Sequence, residues 1–480
     1  MKQNSISLED KYTLRRYLQA ILRSDFPSFL HKVFASLNPG KKFVNNWHIT
    51  YLASLLQEAY EGKHRNIIIC VPPRSLKSTI ISVAWTAWIL GKDPSKRIMA
   101  ASYSASLSTK LSADTRSIVT SNWYRKLFAN FKIAKDQNRK TKFSTTKHGF
   151  RLATSVGGAT IGEGGDVLIV DDPLSPMQAN SKKYRERAIS WYKESFSTRL
   201  NDKKSGIKVI VMQRLHTDDL VGRLIKSRRH DWKIVSIPAI AMKDQDYVTE
   251  NFIHNRKQGE YLHEAREGKD EIEQIKKQLG SYAFSAQYQQ IPVSEEGNLI
   301  KKSWIRRYDI LPTLPFLKGQ SWDLAFTNKS YSDYSVCTTW HIHKNSYYLS
   351  HVYRVQKQFP ELIDDCHKLY QKFAAEFIII EDTVSSKAFI QEVKRRGICR
   401  VIARRPVQDK YTRLAILTPV FEAGEVYLPE NAEWLADFED EVLNFPKTPH
   451  DDQVDSMTQF LSYAKQLNDK NDGKFISHIA

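Results

Sequence analysis

Residues 66–79 read NIIICVPPRSLKST, and this stretch decides the fold of the first half of the chain. The apolar run at 66–71, bounded by two prolines, predicts a buried parallel strand. A helix is predicted after it, over about residues 77–90. The loop between them therefore lies where a strand ends and a helix begins, and backbone N–H groups at such a helix start can bind phosphate.

The chemistry of this loop depends on Lys77 and Ser78. In a phosphate-binding loop of the pattern GxxxxGK[ST], the lysine reaches the β- and γ-phosphates and the hydroxyl holds Mg²⁺. Here Val71 and Leu76 stand where that pattern has glycine. The loop taken alone therefore also fits a plain strand–turn–helix with a capping serine.

A second apolar run, VLIV at 167–170, ends in Asp171 and Asp172 and follows a glycine-rich stretch. An acid at the end of a parallel strand faces the phosphate loop at the same sheet edge, so Asp171 is a candidate to organise Mg²⁺. Asp172 could orient or deprotonate the attacking water. Two acids after a strand are otherwise an ordinary turn signal.

The remaining pattern of the first half alternates strands with helices. Amphipathic helices are predicted over the first 60 residues, strands at 97–101 and 207–212, and a helix at 106–120. This alternation predicts a doubly wound parallel sheet.

Acidic residues also end predicted elements in the second half. Asp323 lies in a strand predicted at 320–325, and Glu381 follows the strand at 377–380. Further strands are predicted at 334–340 and 346–353. A third acidic cluster, HDDQVD at 450–455, precedes a helix-like segment. Carboxylates converging in this way could hold two Mg²⁺ or Mn²⁺ ions about 4 Å apart for phosphodiester cleavage.

The acidic cluster leaves its metal ligand open. On a helix, Asp451 and Asp455 share a face while Asp452 is rotated by about 100°. This favours Asp451 with Asp455 nearby, and Asp452 could replace it in a frayed first turn. Acids at a helix start are also ordinary capping residues.

The overall charge favours a polyanionic partner. The chain has 480 residues, with 72 Lys+Arg against 53 Asp+Glu and a net charge of +19. A basic excess of this size is typical of nucleic-acid binding. Four scattered cysteines, the lack of a secretory leader and the lack of an 18-residue apolar run lead us to expect a cytosolic protein with no membrane span.

The length suggests two domains. We expect a helical segment at 1–60 belonging to a motor domain at 61–292, a polar linker at 293–314, a second α/β domain at 315–465 and a polar tail at 466–480.

Several of these stretches resemble the large subunit of phage terminases. They are VPPRSLKS (71–78), GATIGEGGDVLIVDDP (158–173), VMQRLHTDDL (211–220), FSAQYQQIP (284–292) and FPKTPHDDQVDS (445–456). The resemblance implies an α/β fold: an N-terminal P-loop NTPase domain with a parallel sheet and a C-terminal ribonuclease H-like nuclease domain.

The resemblance also implies roles for individual residues. Arg74 would sense or neutralise the γ-phosphate, Gln213 and Arg214 would transmit nucleotide state to the DNA grip, and Trp47 and His48 would lie on the adenine side. The candidate ATP-site residues are Arg74, Ser75, Lys77, Ser78, Thr79, Asp171, Asp172 and Gln213, with Mg²⁺ at Ser78 and Asp171. The candidate nuclease residues are Asp323, Glu381, Asp451, Asp452 and Asp455, with Mg²⁺ or Mn²⁺.

A terminase large subunit would translocate double-stranded viral DNA into a procapsid with ATP and cut concatemers into genome units. Its implied partners are the portal protein and the small terminase subunit, with a pentameric ring on the portal and a monomer in isolation. It would work in the cytoplasm of the infected bacterium and transiently at the procapsid portal.

Three other functions remain open at this stage: a cellular helicase or repair translocase with a nuclease, an integrase-like recombinase, and a basic structural DNA-binding protein. The sequence does not distinguish site-specific from headful cutting, or an arginine finger acting in cis from one acting in trans.

Overall fold

The computed structural model describes residues 8–158, 162–292, 299–325, 334–397, 399–406, 408–448 and 450–470. The chain divides into two compact units. The first is Met1–Lys276 with Tyr282–Val293, and the second is Lys277–Ser281 with Ser294–Ala480. The first part of the predicted linker, residues 293–298, and the tail residues 471–480 lie outside the described residues, whereas residues 466–470 continue the last helix.

The first unit is built on an eight-stranded sheet in the order β3-β4-β5-β2-β6-β7-β1-β8. All neighbouring pairs from β5 to β8 are parallel, and β3 and β4 are antiparallel additions at one edge. The strands are β1 Asn66–Cys70, β2 Arg97–Ser102, β3 Ile133–Asn138, β4 Lys142–Thr145, β5 Phe150–Ser155, β6 Val167–Asp171, β7 Ile207–Met212 and β8 Lys233–Ser236, with a separate hairpin of β9 Gln245–Thr249 and β10 Phe252–Arg256.

Both faces of this sheet are covered. Along β1, Ile67 and Ile69 enter one apolar core while Ile68 and Cys70 enter the other. Because successive side chains of a strand point to opposite faces, a strand that is apolar throughout is stable only between two layers. The helices of this unit are α1 Leu8–Ser24, α2 Phe26–Leu37, α3 Trp47–Tyr60, α4 Thr86–Lys92, α5 Ala105–Thr120, α6 Asn122–Leu127, α7 Pro176–Ala179, α8 Lys182–Ser190, α9 Leu220–Arg228 and α10 Lys269–Gln287.

The second unit contains a seven-stranded mixed sheet in the order β11-β17-β14-β13-β12-β15-β16. β12, β13 and β14 form an antiparallel meander, and β15 runs parallel to β12. The strands are β11 Arg306–Tyr308, β12 Leu317–Asp323, β13 Ser335–His343, β14 Ser346–Val355, β15 Phe377–Glu381, β16 Val401–Arg404 and β17 Val426–Pro429; the helices are α11 Phe359–Lys372, α12 Lys387–Arg395, α13 Lys410–Glu422, α14 Leu435–Asn444 and α15 Asp452–Lys470.

The apolar runs located the central strands correctly, and the predicted parallel sheet is confirmed. The helix predicted at 77–90 differs, because it begins as a π-helical segment, Thr79–Trp85, and continues as α4 to Lys92. The sequence analysis did not predict the strands that are short or carry polar residues: β3, β4, β5, β8, β9 and β10 in the first unit and β11, β16 and β17 in the second. Among the described residues, no helix is long and apolar enough to cross a bilayer.

Candidate active sites

Two residues of the loop after β1 adopt the left-handed backbone conformation that glycine usually provides in a phosphate-binding loop. Leu76, at the position of the second glycine in the pattern, has φ +62°, and Arg74 has φ +60°. This left-handed region costs roughly 1 kcal/mol or more for a residue other than glycine. Two hydrogen bonds hold the loop: the Ser75 hydroxyl donates to the Pro72 carbonyl at 2.8 Å, and Arg266 Nη1 donates to the Arg74 carbonyl at 3.0 Å.

Lys77 is buried and makes two polar contacts. Its Nζ lies 3.2 Å from Asp172 Oδ2 and donates to the side-chain oxygen of Gln213. Asp172 has φ +48° and also accepts from the backbone N–H of Gln213. The lysine, the second acid and the glutamine named from the sequence therefore meet at the carboxyl ends of β1, β6 and β7.

Asp171 is held by two hydroxyl groups. Ser78 Oγ donates to its Oδ1 at 2.9 Å and Ser82 Oγ donates to its Oδ2 at 2.6 Å. A carboxylate beside the hydroxyl of a phosphate loop supplies oxygen ligands of the kind that Mg²⁺ prefers, so this donor set fits the predicted ion.

A buried arginine contacts the backbone of Ser82, whose hydroxyl donates to this carboxylate. Arg151 on β5 is 0% exposed, and its Nη2 donates to the Ser82 carbonyl at 3.3 Å. The hydroxyls of Thr86 and Thr115 donate to the same carbonyl at 3.0 and 3.3 Å. The π-helical segment lacks the usual i→i+4 hydrogen-bond pattern around this carbonyl, and π-helical turns are frequent at functional sites. Sequence reasoning missed both Ser82 and Arg151.

The two acids strongly affect each other's ionisation. Burial, together with the neighbouring charge of Asp172, raises the pKa of Asp171 to about 6. Burial also raises the pKa of Asp172, and Lys77 acts against that rise. A divalent cation bound beside the two carboxylates would favour their ionised forms.

A small cavity of about 20 Å³ adjoins the loop. Its lining residues are His48, Pro72, Pro73, Arg74, Ser75, Ala239, Leu262, His263, Arg266, Glu267 and Ile272. His48 lies in this lining beside the phosphate loop, and Trp47 packs on the β9–β10 hairpin, stacked on His254 with ring centroids 4.3 Å apart. The adenine-side position of both residues stays a prediction. Residues 239–272 of this lining carry no pattern that the sequence analysis could have detected.

Two further candidates lie next to these contacts. The Arg74 side chain is exposed, and its carbonyl is fixed by Arg266. Thr79 is the first residue of the π-helical segment, directly after Ser78. Their position fits nucleotide binding, and their roles remain predictions.

The segment VMQRLHTDDL is organised around Asp219, whose side chain is 0% exposed. It accepts from Arg214 Nε at 3.0 Å and from the backbone N–H groups of Leu215 and Gly222 at 3.1 and 2.8 Å. The Arg214 N–H donates to Gln290 Oε1 at 2.9 Å. The backbone of Arg214 thus links the end of β7 to the FSAQYQQIP segment, while its side chain is bound to Asp219.

In the second unit, three of the predicted acids line one cavity of about 230 Å³: Asp323 at the end of β12, Glu381 at the end of β15 and Asp455 in the first turn of α15. Gln459, one turn further along α15, fixes this helix by donating to Ser321 Oγ at 2.9 Å and to the Trp322 carbonyl at 3.3 Å.

Two cations from α13 lie among these acids. Arg413 donates to Glu381 Oε2 at 3.1 Å and to Asp455 Oδ1 at 2.6 Å. Lys410 Nζ lies 2.5 Å from Asp455 Oδ2 and 2.6 Å from Asp451 Oδ1. Both residues are therefore bound to the acids of the cavity.

The pKa values of two acids of this cavity are raised despite these cations. Burial, followed by the charge of Asp455, raises the pKa of Asp323 well above its usual range. Burial also raises the pKa of Asp455 to about 6, against the effects of Arg413 and Lys410. Carboxylate oxygens in such a setting suit Mg²⁺ or Mn²⁺ chemically. As placed, however, no three His, Cys, Asp or Glu side chains in the described part of the chain form a metal-holding group.

The acids of the HDDQVD cluster differ in their position relative to this cavity. Helix α15 begins at Asp452, and the Asp455 N–H donates to the Asp451 carbonyl at 3.0 Å, so Asp451 lies one helical turn before Asp455 and both side chains contact Lys410. Asp455 lines the cavity with Asp323 and Glu381, while Asp451 reaches it only through Lys410. Burial raises the pKa of Asp452, which lies outside the lining. Metal ligation by any of the three remains a prediction.

The fold and the two sites define a class of protein: a P-loop ATPase unit joined to a ribonuclease H-like unit. The family model "Terminase large subunit, T4likevirus-type, N-terminal" matches residues 68–307, and the model "Terminase RNaseH-like domain" matches residues 320–464. The chain therefore belongs to the terminase large-subunit family, whose members combine an ATPase with a nuclease.

Solved structures similar to this chain include large terminases. That of a thermophilic bacteriophage in complex with ADP is 12% identical, with 90% of this chain and 98% of that chain covered and a TM-score of 0.49. The HK97 bacteriophage large terminase is 12% identical, with coverage of 88% and 95% and a TM-score of 0.35. The thermophilic phage G20c nuclease with bound cobalt is 16% identical, with coverage of 35% and 97% and a TM-score of 0.28. No curated protein matches the chain.

The raised pKa of Asp171 predicts a pH-dependent stability difference. Between pH ~4 and the folded pKa of about 6, the folded state binds the proton that the unfolded state releases, so this contribution to stability is lost as pH rises. Asp171→Asn should therefore stabilise the metal-free protein at pH 7.5, by at most about 3 kcal/mol. The advantage should shrink as pH falls through 6.

Thermal unfolding in EDTA, measured for both proteins between pH 5 and 8, checks this prediction. The comparison must be a difference between the two proteins, because buried His48 and His341 have lowered pKa values and shift stability in the opposite direction. A difference that does not change with pH would contradict the prediction.

Proposed function

We propose that this chain is the motor and nuclease of a viral DNA-packaging machine. Its first unit would use ATP hydrolysis to move double-stranded DNA into a procapsid, and its second unit would cut concatemeric DNA with the help of divalent metal ions. The observation that carries the proposal is the meeting of Lys77, Ser78, Asp171 and Asp172 at one sheet edge, in a chain of the terminase family.

Each ATP-site residue has a specific task in this proposal. Lys77 would exchange its contacts with Asp172 and Gln213 for the β- and γ-phosphates, and the freed Asp172 could then orient the attacking water. Ser78 and Asp171 would hold Mg²⁺, which neutralises charge on the phosphates. Arg74 would stabilise charge on the γ-phosphate, an effect worth roughly 10³–10⁵ in rate for arginine fingers elsewhere.

The contact between Lys77 and Gln213 offers a route from nucleotide to DNA. When Lys77 binds phosphate, the Gln213 side chain loses its partner, and the change reaches Arg214 and the Gln290 contact along the same strand end. This supports the coupling role of Gln213 and Arg214.

In the nuclease unit, Asp323, Glu381 and Asp455 would hold Mg²⁺ or Mn²⁺, which stabilises the attacking and leaving oxygens. Binding of the ions would release Arg413 and Lys410 from the acids. These two cations would then be free to hold the scissile phosphodiester backbone.

The proposal includes the partners and location of a packaging motor. The chain would assemble as a pentameric ring on the portal, with the small terminase subunit, in the cytoplasm of an infected bacterium. Its charge of +19 supports a DNA partner. The rival functions, a cellular translocase–nuclease and an integrase-like recombinase, make different biochemical predictions.

A Lys77→Ala variant tests the motor. DNA-stimulated ATP hydrolysis should fall about 100-fold or more, because a charge that stabilises the transferring phosphoryl group is lost. Lys203→Ala, an exposed lysine of the same unit, is the matched control and should keep the wild-type rate. ATPase activity that survives Lys77→Ala would refute the assigned site, and an integrase-like protein would show no such activity.

A Ser82→Ala variant tests the support of Asp171. The Mg²⁺ concentration needed for half-maximal ATPase should rise about 10-fold, as for other residues that orient a metal ligand. Ser108→Ala is a matched control, since Ser108 is equally buried but donates to the Ala100 carbonyl. A Mg²⁺ requirement unchanged in Ser82→Ala would show that the hydroxyl does not position the carboxylate.

Plasmid cleavage tests the nuclease. Asp323→Ala and Asp455→Asn should each reduce Mn²⁺-dependent cutting about 100-fold or more, whereas Asp451→Asn should reduce it less than about 10-fold, because Asp451 is outside the cavity. Glu433→Gln, an exposed acid of the same unit, serves as the control. Equal losses in the Asp451 and Asp455 variants would reject this assignment.

A further inference from the structure

A basic hairpin lies at the edge of the first unit's sheet. We give this name to residues 132–148, which include β3, β4 and the loop that follows. The hairpin carries six Lys or Arg residues and a single acid, Asp136; the cations are Lys132, Lys135, Arg139, Lys140, Lys142 and Lys147. They make up more than a third of its residues, a far higher share than the 72 in 480 of the whole chain.

Most of these cations have no acidic partner. Lys142 pairs with Glu163. The other five are exposed, and in the part of the chain that the structure describes none has a carboxylate within ion-pair distance. Like charges gathered in this way repel one another and destabilise the folded hairpin. A bound polyanion would reduce that repulsion.

Protection of the sheet edge does not explain the whole cluster. Lysines on an edge strand do prevent edge-to-edge pairing. However, Arg139 and Lys140 lie in the turn between the strands, and Lys132 and Lys147 lie outside them. A cluster that extends beyond the paired edge calls for another reason.

The hairpin also offers neutral donors to an anion. A cavity of about 390 Å³ on it is lined by Arg97, Lys142, His148 and the polar side chains of Gln137, Ser144 and Thr146, with Asp136 and Glu163 at the same surface. Beside the turn, Arg116 of α5 donates to Asn138 Oδ1 at 2.6 Å. Mixed cationic, hydroxyl and amide donors are typical of contacts to the DNA backbone.

The fold separates this surface from the nucleotide site. The Ala153 N–H donates to the Thr141 carbonyl at 2.7 Å, so the turn lies toward the carboxyl end of β5, the same sheet edge as the phosphate loop. Between β4 and β1 lie β5, β2, β6 and β7. β4 therefore lies five strand spacings, about 24 Å, from β1, and three spacings, about 14 Å, from β6, which ends in Asp171. Changes in the turn should therefore leave the catalytic residues in place.

We propose that the basic hairpin is a contact surface of the motor unit for the phosphate backbone of double-stranded DNA. The inference rests on the proposed function and adds to it the place where the motor holds its substrate. A protein partner fits less well, because among the described residues of the hairpin no large apolar side chain is strongly exposed. Protein interfaces depend on such anchors.

The test replaces four hairpin cations, Lys135, Arg139, Lys140 and Lys147, by Gln. A matched control replaces Lys182, Lys183, Lys203 and Lys204, which are equally exposed in the same unit. All proteins, including the reference, carry Asp323→Ala so that the DNA stays intact. ATP hydrolysis is measured without DNA and with increasing duplex DNA, at several salt concentrations.

At about 100 mM salt, the hairpin variant should need about 10-fold more DNA for half-maximal stimulation, and its salt dependence should flatten by about one unit of log–log slope per lost contact. Its rate without DNA should not change. Stimulation equal to that of the reference, or an equal loss in the control set, would overturn the inference.

A smaller variant guards against misfolding. If the fourfold change also lowers the rate without DNA, Arg139→Gln with Lys140→Gln in the exposed turn becomes the deciding protein, compared with Lys203→Gln with Lys204→Gln. A weaker DNA response in the turn variant alone supports the inference, and equal responses reject it. Failure of the proposed function looks different, because the reference protein itself would then show no DNA-stimulated, Lys77-dependent hydrolysis.

Discussion

The structure depends on one electrostatic constraint: carboxylates buried at the ends of strands need cations. Asp171 is 1% exposed and meets Lys77 only through its neighbour Asp172. In the second unit, Asp455 is nearly as buried and is held by Lys410 and Arg413. Leaving such charges uncompensated would cost several kcal/mol each. Both sites therefore use lysine or arginine to hold acids whose pKa values are raised by burial.

Parallel strands place these acids together. When neighbouring strands run the same way, all of their carboxyl ends lie at one sheet edge, which is where ligands bind in open α/β sheets. In the first unit, β1, β6 and β7 end beside Lys77, Asp171 and Gln213. In the second, β12 and β15 run in parallel and end in Asp323 and Glu381. The helix α15 then adds an acid from outside the sheet, so each site combines strand ends with one further element.

The sequence predicted the buried strands and the residues that belong to short motifs. Buried strands such as β6 and β15 are apolar runs, and the acid that ends each of them is visible because strand ends are sharp. Contacts between residues distant in the chain carried no such signal: Arg151 supporting Ser82 and Arg266 holding the phosphate loop were both missed. The sequence also did not show which acid of HDDQVD lines the cavity, because the other acids of that cavity come from the ends of distant strands.

The loop before Lys77 shows why absent glycines do not exclude a phosphate site. Glycine is common there because it enters the left-handed region without steric cost, but other residues can be held in that region by their surroundings. Here Leu76 also packs against the core of the first unit, so its side chain gains burial that glycine could not provide. The apolar contact and the hydrogen bonds of Ser75 and Arg266 together offset a cost of a few kcal/mol. A motif defined by backbone shape can therefore persist after its usual residues are lost, provided that neighbouring elements hold that shape.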